Sequence, residues 1–373
     1  MIISFSWLDR DPRIARQIYF LKNRFKIIAA GFTPPPSDNI EFFKISPSKL
    51  NIFHKLKIVF LNMLKLYEKA YWSSPRAKNA LKVLDRRKKA DIILANDINT
   101  LPLGVLLAQK WNSKLICDLH EYAPAEFDAN PLWKHIMSPY NDYLCKKYLP
   151  YTDKVMTVCE GIGNKYKHSY GIRCEVIDNA AFYVDQKPII TRDNEIRMIH
   201  HGIAIPERKI ENMILLMKLL DKRYKLDLML MPYNKNYIKK LKQLVTENNR
   251  VRIIKPVLPE KISRHLNQYD IGLFLLPPEH LNYFMALPNK LFEFIQARLC
   301  ITIWPSLEMK KIVDRYNCGI VTKAFSLNEM AEKLNSLSAK EIYSYKLNSH
   351  RAAKELCAEK NKEKFLNIID FLL

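Results

Sequence analysis

Short apolar runs alternate with helically periodic segments along almost the whole chain, and the pattern begins twice. In the first half the runs fall at residues 2–6, 25–30, 91–95, 114–118 and 154–158. Runs this short and this uniformly apolar predict strands covered on both faces, as in a parallel sheet between layers of helices. Asp11 followed by Pro12 predicts a helix start, with a side-chain cap and a proline at the first helical position, running to about residue 23. A second helix is expected over 102–111. Residues 178–194 are polar and aperiodic and read as a crossing between domains. The alternation then restarts, with strands at 197–201, 226–231, 251–254, 270–276, 300–304 and 320–322. Helices are expected between them at 211–220, 236–246, 261–267, 291–297 and 327–337. Residues 350–373 read as further helix that folds back towards the first half. The expected architecture is α/β, two doubly wound domains at 1–182 and 183–349, with 350–373 packing on the first. A chain of 373 residues has room for both.

Glycine limits what the loops can be. There are 8 glycines against 20 prolines, well under the usual glycine share of about 7%. Gly161-Ile162-Gly163 comes nearest to the dinucleotide fingerprint, but Tyr166 stands where its third glycine belongs, and no GxxxxGK[ST] string exists. A bound phosphate must therefore be held by other groups. The seven cysteines are scattered and never form CxxC, which argues against a disulfide framework or a zinc ribbon and for reduced thiols. The apolar start at 2–8 is too short for a signal sequence, and no stretch is apolar enough to span a bilayer, so a cytoplasmic location is expected.

Sixty Lys and Arg against 38 Asp and Glu give a formal charge of +22, which calls for anionic partners. Residues 51–90 concentrate it, with eleven Lys or Arg against Glu68 and Asp85, interleaved with apolar side chains at helical spacing. A helix with one basic and one apolar side fits an anionic membrane surface; a solvated surface helix is the alternative. Nucleic acid is not an expected partner, because no RNP, KH, zinc-finger or helix-turn-helix string accompanies the charge.

Four stretches carry chemistry where α/β domains build sites, after the carboxyl ends of strands. Asn96-Asp97 and Asp118-Leu119-His120-Glu121 place a histidine and carboxylates on neighbouring loops, a base and its orienting partner or simply a hydrogen-bonded structural histidine. His200-His201-Gly202, followed by basic groups at 206–209, precedes a helix start, which suits an anion. In 286–293, Lys290 and Glu293 lie one turn apart at a helix start, able to face a diphosphate and ribose hydroxyls, or to be an ordinary exposed pair.

The whole string LPNKLFEFIQARLCITIWPSLEMKKIV resembles the donor-site helix of retaining GT-B glycosyltransferases of the family-4 type, also called group 1. DPRIARQIYFLKNRFKII is similar to that group's opening helix, ANDINTLPLGVLLAQKWNSKLICDLHEY to its acceptor-domain core, and HGIAIPERKIENMI to its donor-domain entry. DKVMTVCEGIGNKY with VIDNA is similar to the approach to its hinge. The resemblance implies two Rossmann-like domains facing a cleft, with a UDP- or GDP-linked sugar on the C-terminal one and a glycan or lipid-linked acceptor on the other. It implies that Arg208 and Lys290 meet the diphosphate, that Glu293 holds the ribose, that Asn289 and the N–H groups around Leu287 add hydrogen bonds to phosphate, and that Gly202 belongs to the same donor site. His120 and Asp97 would then be catalytic, and Arg13, Arg16 and Glu121 would face the acceptor. Neither a metal nor a cofactor is implied, and the enzyme would work in surface-glycan or glycolipid assembly at the inner face of a membrane. The chain departs from the pattern at Met285, where many relatives carry a first carboxylate, at Trp7-Leu8-Asp9-Arg10 in place of a glycine-rich loop, and at Arg298 in place of a helix-ending glycine. The same frame also hosts sugar-nucleotide epimerases, which keeps an epimerase or hydrolase open, and the missing carboxylate at Met285 keeps open a noncatalytic relative.

Overall fold

The computed structural model describes residues 1–37, 39–47, 52–85 and 89–373. They form two compact units, one of residues 1–178, 280–282 and 362–373, the other of 179–279 and 283–361.

The first unit is built on seven parallel strands: β1 (Ile2–Ile3), β2 (Ile28–Gly31), β3 (Glu41–Lys44), β4 (Ile92–Asn96), β5 (Lys114–Leu119), β6 (Lys154–Thr157) and β7 (Cys174–Val176), in the order β3-β2-β1-β4-β5-β6-β7. The central strands are buried on both faces, as their sequence predicts. The edge strands β3 and β7 were not foreseen, because Glu41, Lys44 and Glu175 interrupt any apolar run. Helix Pro12–Leu21 starts where its cap predicts: Asp11 Oδ1 accepts from the backbone N–H of Arg13 at 3.0 Å and of Ile14 at 3.2 Å. Before it, the glycine-poor loop is filled by Leu8. A Cβ on Gly31 would lie 2.5 Å from Leu8 Cγ, so the close approach that this loop needs is provided by the glycine of the neighbouring strand.

The basic segment is not one amphipathic helix but three, Ile52–Met63, Tyr67–Ser73 and Pro75–Leu84. Lys65, at φ 56°, breaks the first from the second, and Pro75 opens the third. Residue 51 and the basic run at 86–88 lie outside the described residues. Helix Ala358–Leu372 carries the chain's end back into the first unit, where Phe365 is buried against Phe20 with ring centroids 5.6 Å apart. The preceding helix, Ala339–Glu355, lies wholly in the second unit.

The second unit holds six parallel strands: β8 (Ile196–Ala204), β9 (Tyr224–Pro232), β10 (Val251–Ile254), β11 (Ile271–Phe274), β12 (Cys300–Ile303) and β13 (Gly319–Val321), in the order β10-β9-β8-β11-β12-β13. Helix Asn289–Gln296 lies against it through Leu291, Phe292, Phe294 and Ile295, all buried. Arg298, just beyond that helix, takes the left-handed conformation at φ 63° that a glycine would be expected to supply. Its buried guanidinium donates to the carbonyls of Val184, Ile295 and Gln296 and to His350 Nδ1. Both units are thus doubly wound α/β domains, and the stretch that begins the second, from 179, runs without regular structure to the short bridge between Arg192 and Glu195.

Candidate functional site

In the second unit the candidate groups gather at the carboxyl end of β8. Gly202 sits there at φ +130°, a backbone setting that side chains avoid. A Cβ on it would lie 3.4 Å from Lys290 Nζ and 3.7 Å from an Arg208 terminal nitrogen. Two cations thus converge on one stretch of open backbone. Arg208 comes from the one-turn 3-10 helix Pro206–Arg208 and donates to the Ile203 carbonyl at 3.3 Å. Lys290 comes from the first turn of helix Asn289–Gln296, and the apolar face of that helix carries it inwards. Its ammonium is buried 3.9 Å above the Phe274 ring centroid. Burial, then the neighbouring charge of Arg208, pulls its pKa well below the ordinary lysine value, against the opposing pull of Glu293. An anion bound here would relieve both costs.

Glu293, one turn further along, is one-fifth exposed, with Oε2 3.3 Å from His201 Nε2. His201 is buried edge-on to Phe294, and burial followed by the charges of Lys290 and Arg208 holds it neutral. Its neighbour His200 donates from Nδ1 to the Leu273 carbonyl, 3.0 Å away; since a carbonyl only accepts, Nδ1 carries the proton. Asn289 opens the helix behind Pro288. Met285 is buried in the same unit, so this position supplies no carboxylate.

In the first unit a second cluster forms at the carboxyl ends of β4 and β5. Asp97 adopts φ 64° and ψ 158°, a conformation almost confined to glycine, and its backbone N–H donates to the Asp118 carbonyl at 2.8 Å. The strained turn brings its carboxylate to His120: Oδ1 accepts from the His120 backbone N–H at 3.3 Å and lies 3.5 Å from Nδ1. Burial raises the Asp97 carboxyl above its ordinary value, although its interactions with His120, the backbone N–H bond among them, oppose this. His120 Nε2 lies 3.9 Å from Asp118 Oδ2. Glu121 is exposed beside it, its Oε2 accepting from Asn282 at 3.4 Å.

Arg13 and Arg16 are both buried rather than presented to solvent. Arg13 grips Asp118 with two bonds, Nε to Oδ2 at 2.7 Å and a terminal nitrogen to Oδ1 at 2.5 Å, and donates to the Ile177 carbonyl at 2.8 Å. Gln17 completes the cluster by donating to Asp118 at 2.7 Å and to Asn96 at 2.8 Å. Burial opposes the Asp118 charge, but Arg13 outweighs it and holds the carboxyl below its ordinary value. Sequence reasoning did not connect Arg13 to Asp118, which are far apart along the chain. The available signal was a lone aspartate closing an apolar strand, which needs a buried cation. Glu126 was also missed. Burial, and then Asp97, pushes its carboxyl up to about 7, so it can exchange a proton near neutrality.

Among the described residues no three His, Cys, Asp or Glu side chains are grouped as a metal site requires. The arrangement can do two things with its own groups: hold an anion near Gly202 at the carboxyl end of β8, and pair a histidine with carboxyls at the carboxyl ends of the central strands β4 and β5.

Residues 20–181 match the family described as Glycosyltransferase Family 4. No curated protein sequence matches the chain. Among solved structures it is similar to HepE of Anabaena in complex with UDP, with 13% identity, a TM-score of 0.70 and coverage of 99% of this chain and 98% of that one. It is similar to WaaG, a glycosyltransferase involved in lipopolysaccharide biosynthesis, with 13% identity, a TM-score of 0.67 and 99% of each chain covered. A UDP-forming trehalose-phosphate synthase of Burkholderia xenovorans in complex with glucose-6-phosphate gives 11% identity, a TM-score of 0.70 and 99% of each chain covered. At these identities the likeness establishes the fold, which is that of GT-B glycosyltransferases.

Proposed function

We propose that this chain, with the GT-B fold throughout and the Glycosyltransferase Family 4 pattern over residues 20–181, is a glycosyltransferase. It moves a sugar from a nucleoside diphosphate sugar, UDP- or GDP-linked, to an acceptor hydroxyl, with retention at the anomeric carbon. The observation that carries this reading is the convergence of Lys290 and Arg208 on the open backbone of Gly202, with Glu293 one turn along the same helix. Neighbours of the same fold are in complex with UDP and with UDP-glucose, which supports a nucleotide sugar as donor.

The chemistry follows from charge. As the bond between the anomeric carbon and the diphosphate oxygen breaks, negative charge grows on the β-phosphate. Lys290 and Arg208 stabilise that charge more in the transition state than in the bound substrate, which is the condition for accelerating the step. Arg208, Lys290 and the first N–H groups of helix Asn289–Gln296 supply the positive field, and the reading needs no metal. Glu293 accepts from ribose hydroxyls. In the first unit His120 and Asp97 serve the acceptor hydroxyl and its proton, with Glu121 nearby. Arg13 acts through Asp118, which it holds ionised near His120. The acceptor is a glycan or a lipid-linked sugar in surface-polysaccharide or glycolipid assembly, and the protein works peripherally at the cytoplasmic face of a membrane.

The test is turnover of Lys290→Ala with a donor identified from a panel of UDP- and GDP-sugars by thermal shift. Losing a charge that stabilises the leaving group costs on the order of 3 kcal/mol, about a hundredfold in rate. An undiminished rate overturns the assignment. A donor altered with no acceptor present would favour epimerisation or hydrolysis instead.

A further inference from the structure

Helix Ile52–Met63 is inverted relative to an ordinary surface helix. Among its described side chains the only fully buried one is a polar residue, Asn62, at 3% exposure, whose amide nitrogen lies 3.5 Å from Met137 Sδ. Ile58 and Val59, on the same side, are half-buried. The large apolar residues point the other way. Phe53, Leu56, Phe60 and Met63 follow at spacings of three and four, so they form one stripe, and Leu64 extends it. Phe53 is 77% exposed and Met63 68%. Solvent-facing apolar stripes of this length mark contact surfaces.

The charge around the stripe identifies what covers it. Lys55, Lys57 and Lys65 are all exposed, and no Asp or Glu occurs between Glu41 and Glu68. A second copy of the chain would bring the same unpaired cations to the contact. An anionic bilayer brings the opposite charge, together with an acyl boundary deep enough for phenylalanine rings. Among the described residues no helix is long and apolar enough to cross a membrane, so the contact lies in the interface plane.

We infer that the stripe of Phe53, Leu56, Phe60 and Met63 seats in the surface of an anionic bilayer, with Lys57 and Lys65 on the lipid phosphates. The inference rests on the peripheral placement proposed above and narrows it to one face of one helix. It predicts that the full chain sediments with vesicles of phosphatidylcholine and phosphatidylglycerol, weakly with phosphatidylcholine alone, and less as salt rises. The double variant Phe53→Ser/Phe60→Ser should bind the mixed vesicles about tenfold or more weakly, while its thermal shift with UDP stays that of the native chain, because both residues are exposed and lie outside the second unit. Native chain that fails to bind mixed vesicles overturns the peripheral reading itself. A double variant that binds as the native chain does overturns only this face. Equal binding to both vesicle types overturns the role of charge, and a dimer in sedimentation velocity that the double substitution abolishes assigns the stripe to a second copy. Vesicle binding is read without donor or acceptor, so it stands or falls apart from sugar transfer.

Discussion

Lys290 is a cation that the free fold holds at a cost, and that cost sets the pH behaviour of anything bound at Gly202. Burial and Arg208 depress its pKa well below 10.5, whereas a diphosphate beside it restores the charge. Binding therefore takes up a proton wherever the free lysine is neutral. UDP affinity should fall as pH rises through the depressed value, by up to about tenfold per unit. Titration calorimetry in buffers of different ionisation enthalpy would show the uptake, and Lys290→Arg should flatten the dependence because a guanidinium stays charged. Arg298 is the second residue whose chemistry the sequence only half disclosed. Its place in a pattern that expects glycine was legible, but its partners Val184 and His350 were not, since they lie far away in sequence. Arg298→Ala keeps the strained φ and strands buried carbonyls, each worth about 1–3 kcal/mol when left unpaired. Arg298→Gly strands the same carbonyls but relieves about 1 kcal/mol of backbone strain. Both variants should be destabilised in urea, glycine less than alanine by about that difference; equal losses would mean that φ carries no strain.

Helix Pro12–Leu21 shows how an element announced by its own sequence can be held by something the sequence hides. Its start was readable from Asp11 and Pro12, because capping is local. Its attachment to β5 through Arg13 and Asp118 was not, because that pairing follows from strand order. Strands were legible by the same rule. Those buried on both faces appear as apolar runs, while β3 and β7, each at an edge, do not. The Arg13–Asp118 pair fixes the sign of a pH effect. With the folded carboxyl held below its unfolded value of about 3.9, the pair stabilises above that value, and the contribution is lost as pH falls through the folded one. Arg13→Met removes the cation and leaves a buried carboxylate, at a cost of about 3–5 kcal/mol near neutrality. Burial alone then raises the Asp118 carboxyl, so the sign reverses, and the variant gains stability as pH falls towards 4 while the native chain does not. Urea denaturation at pH 4 and 7 distinguishes the two slopes. Parallel slopes would show that Arg13 is not what keeps Asp118 ionised.

The whole molecule economises on glycine without giving up left-handed turns. Seven non-glycine residues carry positive φ among the described residues, Asp97, Lys209 and Arg298 among them, against Gly171 and Gly202. Two of those seven border the candidate anion site or its helix, so backbone strain and charge sit together there. The chain also crosses between its units more than once, which a reading by consecutive domains understates, since the first unit is completed by residues 280–282 and 362–373. The latter segment buries Phe365, Ile368 and Ile369. At about 1.5–3 kcal/mol for each apolar side chain fully buried, their loss removes roughly 5–9 kcal/mol, which is comparable to the whole net stability of a domain, about 5–15 kcal/mol. A chain ending at Asn361 should therefore lose the first unit's folded state while keeping the second, which contains every group at Gly202. In calorimetry one transition should disappear, and the remaining one should still rise with UDP, by about 2.7 kcal/mol at a hundred times the dissociation constant. Loss of both transitions would show that the second unit depends on the first. Retention of both would show that the first unit's core closes without Phe365, contrary to the packing of that ring against Phe20.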